Sequence, residues 1–193
     1  MRRHIVGVVM ASAVVLLGLT ACAPATAPPV TSRPTAHAAV TPSPTPTPTV
    51  FLGTGVALGY SCDELIDPSV IRSLDKNLRE DKNYQPAVTT SAERAVAIRG
   101  TACQWKDPST GSSLIVTAAH PDPPTLADVR SATASYAKPT TLFGNDVSGF
   151  IVNTQIEIFT RSGYWATASS SLFSNLTVAQ SVMNAVEQSL PGD

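Results

Sequence analysis

The sequence is poor in histidine, the side chain that serves most often as a general base or a zinc ligand. It has three histidines in 193 residues, and only His120 lies after the proline-rich segment that ends near residue 59. A Ser-His-Asp triad would therefore need His120, yet no G-x-S-x-G motif supplies a nucleophile. A zinc site needs more His or Cys ligands than one histidine and a cysteine pair provide. We therefore expect no metal, no cofactor and no catalytic residues of these types.

Charge and glycine motifs are also scarce, which excludes other functions. The chain has 13 Lys and Arg against 14 Asp and Glu, a formal net charge of -1. After Arg3 the basic residues are scattered singly, so the sequence predicts neither nucleic-acid binding nor a basic patch for an acidic membrane surface. The only closely spaced glycines, Gly53 and Gly55, lack the third glycine and the preceding strand of a dinucleotide-binding loop.

The first 21 residues have the order of an export signal. Arg2 and Arg3 precede an apolar run over residues 5–19, and small residues follow it. This run is shorter than the roughly 20 residues that span a bilayer as a helix, so a permanent membrane span is disfavoured. Leu19-Thr20-Ala21-Cys22 resembles the lipobox of bacterial lipoproteins. The resemblance implies cleavage before Cys22 and a diacylglyceryl group on its thiol; the alternative is an ordinary signal peptide cleaved near Ala21 or Ala23.

Residues 22–59 are predicted to be a disordered tether that carries the lipid at its start. Residues 23–59 hold eight prolines and eight threonines, and Arg33 is their only charged residue. Alternating prolines cannot supply the amide hydrogens of a helix or sheet, so an extended polyproline-type spacer is expected. At about 3.1 Å per residue it would hold the following domain up to about 100 Å from the membrane.

Residues 60–193 are predicted to form a single α+β domain with one disulfide. With Cys22 assigned to lipid, Cys62 and Cys103 remain, and an oxidising compartment favours a bond between them over a metal site. Helices are expected to begin at Ser61, Asp67, Thr125 and Thr177, while residues 91–98 fit either a helix or a strand. Residues 120–124 are expected to be a loop. An antiparallel sheet of about five strands is predicted from alternating polarity over residues 101–105, 113–119, 146–153, 155–160 and 164–170.

A second resemblance covers most of this domain. Cys62-Asp63-Glu64-Leu65, followed by Cys103-Gln104-Trp105, resembles a group of small actinobacterial lipoproteins. Those proteins combine a lipobox, a Thr/Pro linker and a Cys…Cys-x-Trp domain of unknown function. The resemblance implies an α+β fold and a disulfide, and it implies no activity.

Two hypotheses about function follow from these features. The preferred one is a non-enzymatic surface lipoprotein, a binding or accessory module held on the outer face of the cell membrane by its lipid, with an unidentified envelope ligand or protein as partner. In this hypothesis Trp105, Trp165 and Tyr164 either fill the core of the module or line a binding groove on it. The alternative is a cell-envelope hydrolase that uses carboxylates, Asp146 being one candidate, or a serine without histidine.

Overall fold

A computed structural model describes Phe51 and residues 53–192 as an α+β structure with an antiparallel sheet. Within that part of the chain there are eight strands and five helices. The strands are β1 (Gly55–Val56), β2 (Arg79–Glu80), β3 (Thr101–Lys106), β4 (Ser113–Pro121), β5 (Lys138–Thr140), β6 (Ser148–Val152), β7 (Gln155–Phe159) and β8 (Trp165–Ser170). The helices are α1 (Cys62–Leu65), α2 (Pro68–Leu74), α3 (Ser91–Ala97), α4 (Pro123–Tyr136) and α5 (Leu176–Ser189).

The sheet runs in the order β2-β3-β4-β8-β7-β6-β5, every neighbouring pair is antiparallel, and β1 pairs with the end of β4. The prediction of about five strands was wrong, because β1, β2 and β5 are additional. These strands have two, two and three residues. A strand this short contains too few side chains to show alternating polarity, so its position depends on backbone pairing with a neighbour.

Alternation along the long strands gives the sheet two faces that are covered by different helices. One face carries Cys103, Val116, Ala168 and Ile156 in a continuous row across four strands, and we call it the disulfide face. Leucines, isoleucines and valines of α1, α2 and α5 pack on it. The opposite face carries Thr117, Thr167 and Glu157 in register, and we call it the glutamate face. Its apolar part packs against α3 and α4.

The disulfide between Cys62 and Cys103 is present, as predicted. It joins the first residue of α1 to β3, with the two Cα atoms 5.7 Å apart. The bond therefore connects the helical layer on the disulfide face to the sheet beneath it. Closing a loop of 41 residues stabilises a fold by about 4 kcal/mol if the effect is wholly on the entropy of the unfolded chain.

The first two helix starts were predicted correctly. Ser61 is the N-cap of α1, and its N–H and hydroxyl both donate to Glu64 at 2.8 Å. Asp67 caps α2, with Pro68 as the first helical residue. Residues 91–98, which fit either a helix or a strand, are mostly helical. They form α3, and Thr90 is its N-cap.

The predicted starts of the last two helices were wrong. Helix α4 begins after Asp122, whose carboxylate accepts the Thr125 N–H at 3.0 Å. The Thr125 hydroxyl instead accepts the Thr54 N–H at 3.0 Å, a contact across 71 residues. Residues 120–124 are therefore the end of β4 and the start of α4, not a loop. Helix α5 is capped by Asn175, two residues before the predicted Thr177.

The described chain before residue 60 contacts the rest of the domain. Gly55 and Val56 of β1 pair with Pro121 and His120 of β4, and the Leu58 N–H donates to the Arg99 carbonyl. The folded domain thus includes several residues that precede the expected boundary at residue 60. The signal segment, Cys22 and most of the predicted tether lie outside the described residues. No helix in the described part of the chain is long and apolar enough to cross a membrane.

Candidate functional site

The glutamate face has one end that the helices leave uncovered. Pairing between strands places Gln104, Ile115, Ser169 and Gln155 side by side on β3, β4, β8 and β7, and we call this set the floor row. Helices α3 and α4 pack over the other end of the same face, around Ala119, Trp165 and Phe159. The floor row is left facing the connection between β2 and α3.

A cavity of about 450 Å³ lies over the floor row. Its other walls come from residues 81–91, in particular the side chains of Asn83, Tyr84 and Gln85, and from the start of α3. This volume lies within the roughly 300–1,000 Å³ typical of small-molecule sites. The cavity is open to solvent on the side of the 81–91 segment, where Asn83 and Gln85 are exposed.

The charged groups at the cavity are paired with each other. The Lys106 ammonium lies 2.9 Å from the Asp81 carboxylate at the rim. The hydrogen bond from Lys106, together with the Asn83 N–H, holds the pKa of Asp81 below its ordinary value. Burial raises the pKa of Tyr84, so this phenol is neutral at physiological pH. The lining therefore presents one internally compensated ion pair and otherwise neutral groups.

Beside the cavity lies a buried carboxylate, Glu157, which is 1% exposed. Neither of the two ion pairs among the described residues includes it. Five side-chain donors satisfy its oxygens instead. They are Gln155 Nε2 at 2.7 Å, Ser91 Oγ and Tyr136 OH at 3.1 Å on Oε1, and Thr133 Oγ1 at 3.0 Å and Trp165 Nε1 at 3.1 Å on Oε2.

This Glu157 cluster, Glu157 with its five donors, draws together α3, α4, β7 and β8. A carboxylate taken out of water is costly unless hydrogen bonds replace its solvation. Burial raises the pKa of Tyr136, and the adjacent Glu157 carboxylate acts in the same direction while the Thr133 hydroxyl opposes it. The Tyr136 hydroxyl consequently keeps its proton and its donor role over the ordinary pH range.

Ser91 and Gln155 belong to both the cavity and the Glu157 cluster. Each lines the cavity, and each donates to Glu157. Gln155 Nε2 also donates to Ser91 Oγ at 3.0 Å, which leaves the Gln155 carbonyl oxygen for other partners. Glu157 therefore fixes the orientation of two cavity-lining side chains without lining the cavity itself.

Gln104 and Ser169 are the uncommitted polar groups of the floor row. The Gln104 side chain makes no hydrogen bond to another described residue; since no fully buried side-chain polar atom in this part of the chain lacks a partner, its amide is open to the solvent of the cavity. The hydroxyl of Ser169, a partly buried residue, likewise makes no hydrogen bond to another described residue. Thr167, which also lines the cavity, is already paired with Thr117 at 2.7 Å. These two groups are therefore available to hydrogen-bond a molecule in the cavity.

The structure does not bring the predicted aromatic groove residues together. Trp105 and Tyr164 lie in the core on the disulfide face, whereas Trp165 lies on the glutamate face. Trp105 is 5% exposed and Trp165 is 1% exposed, so both fill the core. Trp165 does contribute to the site region, since its indole N–H is one of the donors to Glu157.

The other groups considered for catalysis lie apart from the cavity. His120 stacks on the Tyr164 ring, with the ring centroids 4.5 Å apart. Asp146 is exposed and pairs with Arg161. In the described part of the chain, no three His, Cys, Asp or Glu side chains are grouped so that they could hold a metal ion.

The sequence signal for this site was the placement of polar residues on the strands, not the aromatic residues. Gln155, Glu157, Thr167 and Ser169 occupy alternate positions on two long strands, so they share one sheet face. Polar residues at such positions of central strands mark either a solvated face or a buried polar site. Which of these applies depends on what covers the face.

Comparison with models of protein families, with curated proteins and with solved structures finds no match for this chain.

Proposed function

We propose that this protein is a lipid-anchored binding module on the outer face of the cell membrane, and that it binds a small polar ligand in the cavity over the floor row. One observation carries the binding part of the proposal. The cavity is lined by an amide, Gln104, and a hydroxyl, Ser169, whose side chains make no hydrogen bond to other described residues. A ligand that supplies complementary hydrogen-bonding groups would satisfy both.

The anchoring part of the proposal rests on the order of segments in the sequence. A basic start, an apolar run and Leu19-Thr20-Ala21-Cys22 precede the Pro/Thr-rich residues. The Cys62–Cys103 disulfide supports export, because such bonds persist mainly in oxidising compartments. Two acyl chains on Cys22 would hold the protein durably, since each buried methylene contributes about 0.8 kcal/mol.

Binding is favoured over catalysis because the acidic groups near the cavity are already engaged. Glu157 accepts five hydrogen bonds and is shielded from the cavity by Ser91 and Gln155, while Asp81 is paired with Lys106. A general acid or base must reach the reacting group directly or through one water.

A specific contact favours one alternative, a hydrolase that uses serine without histidine. Ser91 Oγ lines the cavity and lies 3.1 Å from Glu157 Oε1, so a carboxylate is placed to accept the serine proton. In this alternative Ser91 is the nucleophile and Glu157 its base.

Turnover assays on the purified full-length protein separate the two functions. We expect no hydrolysis of p-nitrophenyl esters or glycosides above the rate in buffer. Turnover that disappears in Ser91→Ala but persists in Ser171→Ala would replace the binding module with the hydrolase. Ser171→Ala is the matched control because it makes the same change at an exposed position outside the cavity.

Labelling cells with a radioactive or clickable fatty acid tests the anchor. We expect the label on the wild-type protein, which should sediment with membranes, and no label on Cys22→Ser. Label that persists in Cys22→Ser would show that Cys22 is not the acylated residue and would contradict this part of the proposal.

A further inference from the structure

The charge balance of the cavity restricts the class of ligand. The two charged residues that line it, Asp81 and Lys106, are paired at 2.9 Å. An anionic ligand such as a phosphate would need a free cation there, and a cationic ligand would need a free carboxylate. Neither is present among the described lining residues, so the electrostatics favour a neutral ligand.

The free polar groups in the floor row can both donate and accept. A glutamine amide offers an NH₂ donor and a carbonyl acceptor, and a serine hydroxyl offers both roles in one group. Gln104 and Ser169 are uncommitted, and Gln155 retains its carbonyl oxygen. A ligand hydroxyl has the same dual capacity, so a ligand rich in hydroxyls can satisfy all three.

The spacing of these groups suits an elongated ligand with hydroxyls at both ends, such as two linked sugar rings. Gln104 and Ser169 lie two strands apart, which is about 10 Å at the usual strand separation of about 4.8 Å. Gln155 lies on the next strand, about 5 Å further. The polar groups at the two ends of the row are therefore too far apart to bind the same hydroxyl of a ligand.

Between the polar ends the cavity has an apolar surface. Ile115 separates Gln104 from Ser169 in the floor row and is only partly buried. The Tyr84 ring, also partly buried, belongs to the wall contributed by residues 81–91. A sugar ring has the matching pattern, with C–H groups on its faces and hydroxyls at its rim. An aliphatic side chain and an aromatic ring are suited to contact such C–H faces.

We propose that the cavity binds a neutral saccharide, with Gln104 and Ser169 hydrogen-bonding its hydroxyls and with Tyr84 and Ile115 contacting its C–H faces. This inference rests on the proposed binding function and specifies its ligand class. A purely apolar ligand is disfavoured, because it would leave the Gln104 amide buried without a partner.

Saturation-transfer NMR on the full-length protein tests the proposal, in a detergent without a sugar headgroup. The neutral probes are glucose, N-acetylglucosamine and maltose, and the charged comparisons are glucuronate, glucosamine and glucose 6-phosphate. We expect saturation transfer to at least one neutral sugar at about 10 mM, a concentration that nearly saturates a site with a Kd of about 1 mM. Each charged counterpart should bind at least about tenfold more weakly, the equivalent of about 1.4 kcal/mol.

Matched variants connect binding to this cavity. Gln104→Leu and Ser169→Ala should each weaken binding by about tenfold or more, as expected when a hydrogen-bonding site loses one partner. Gln188→Leu on α5 and Ser171→Ala after β8 make the same changes at exposed positions outside the cavity and should bind like wild type. Thermal unfolding of every variant identifies any that has lost its fold. If Gln104→Leu has lost its fold, Ser169→Ala alone tests the site.

The outcomes separate this inference from the proposed function. Neutral sugars that bind equally to wild type, Gln104→Leu and Ser169→Ala would overturn the saccharide site. If only charged or non-sugar compounds from a polar fragment library bind, and Ser169→Ala weakens them, the ligand class is wrong while the binding module stands. If no compound binds, both proposals fail.

Discussion

At the scale of single residues, Glu157 is the side chain that joins the helices to the sheet on the glutamate face. It is buried at the point where α3, α4, β7 and β8 meet, and its partners are neutral donors. Such a carboxylate is stabilised only while all its donors stay in place. It therefore couples the packing of two helices to the orientation of Ser91 and Gln155 at the cavity.

Replacing Glu157 by glutamine should destabilise the fold strongly. The amide keeps the size of the side chain, but its NH₂ group faces donors that need an acceptor. We expect a loss of about 3 kcal/mol in the free energy of unfolding, since hydrogen bonds to charged groups are worth about 1.5–3 kcal/mol each and at least one is replaced by an unpaired donor. Urea unfolding followed by tryptophan fluorescence measures this change.

Glu80→Gln is the matched control, because Glu80 lies exposed on β2. It should leave the midpoint of unfolding unchanged within error. If Glu157→Gln were as stable as Glu80→Gln, the Glu157 cluster would not be an important source of stability.

At the scale of elements, the helix caps show where local sequence decides and where it does not. α1 and α2 begin at the residues that their own local patterns indicate, Ser61 and Asp67. α4 and α5 have two candidate caps each within a few residues. In α4 the cap is Asp122, and Thr54 binds both candidates: its N–H donates to the Thr125 hydroxyl and its own hydroxyl donates to the Asp122 carboxylate.

The cap of α5 can be tested with a pair of neighbouring substitutions. Asn175 accepts the Val178 N–H at 3.1 Å, whereas Thr177 lies inside the helix. Asn175→Ala should lower the free energy of unfolding by about 1 kcal/mol, the typical effect of losing an N-cap side chain. Thr177→Ala should have little effect or a slight stabilising one, because alanine is the better helix former. The reverse order of effects, measured by urea unfolding, would show that Thr177 is the cap.

At the scale of the whole molecule, carboxylates with lowered pKa values govern the response to acid. The pKa values of Glu64, Asp67, Asp81, Asp107 and Asp122 are all below their ordinary values, in each case chiefly because hydrogen-bond donors favour the charged form. Burial raises the pKa of Glu187, which acts in the opposite direction.

The protein should therefore lose stability in acid. A carboxyl whose pKa is lower in the folded state adds stability above its unfolded pKa, which is about 4 for Asp and Glu. That stability is lost as the pH falls from there through the lower folded pKa values. We expect the free energy of unfolding to be flat from about pH 6 to 7 and to fall steadily below about pH 4.

A substitution of Asp107 tests this pH dependence of stability. Its carboxylate accepts hydrogen bonds from Ser109 N–H at 2.7 Å, Ser109 Oγ at 2.6 Å and Thr110 Oγ1 at 2.8 Å in the turn between β3 and β4. Asp107→Asn removes one titrating group, so stability should fall less steeply with acidification than in wild type. Urea unfolding between about pH 2.5 and 7 gives both slopes, and equal slopes would contradict the assignment.

The architecture was predictable in outline because most of its signals are local. Alternating polarity over residues 155–160 and 164–170 predicted strands that the structure has as β7 and β8. The cysteine count predicted the bond between Cys62 and Cys103. The predicted groove at Trp105, Trp165 and Tyr164 is not formed, since the register of the sheet places Trp105 and Tyr164 on one face and Trp165 on the other.

The sequence by itself therefore determined the fold class, the first two helix caps, the long strands and the disulfide partners, because each follows from residues near one another or from the absence of alternatives. Only the tertiary structure decided that Gln104, Ile115, Ser169 and Gln155 form one row, and that residues 81–91 line the cavity over it. It likewise decided that three donors from α3 and α4 converge on Glu157 together with the nearby Gln155 and Trp165. These contacts join residues up to 66 positions apart, and strand register and helix packing create them where no local pattern specifies them.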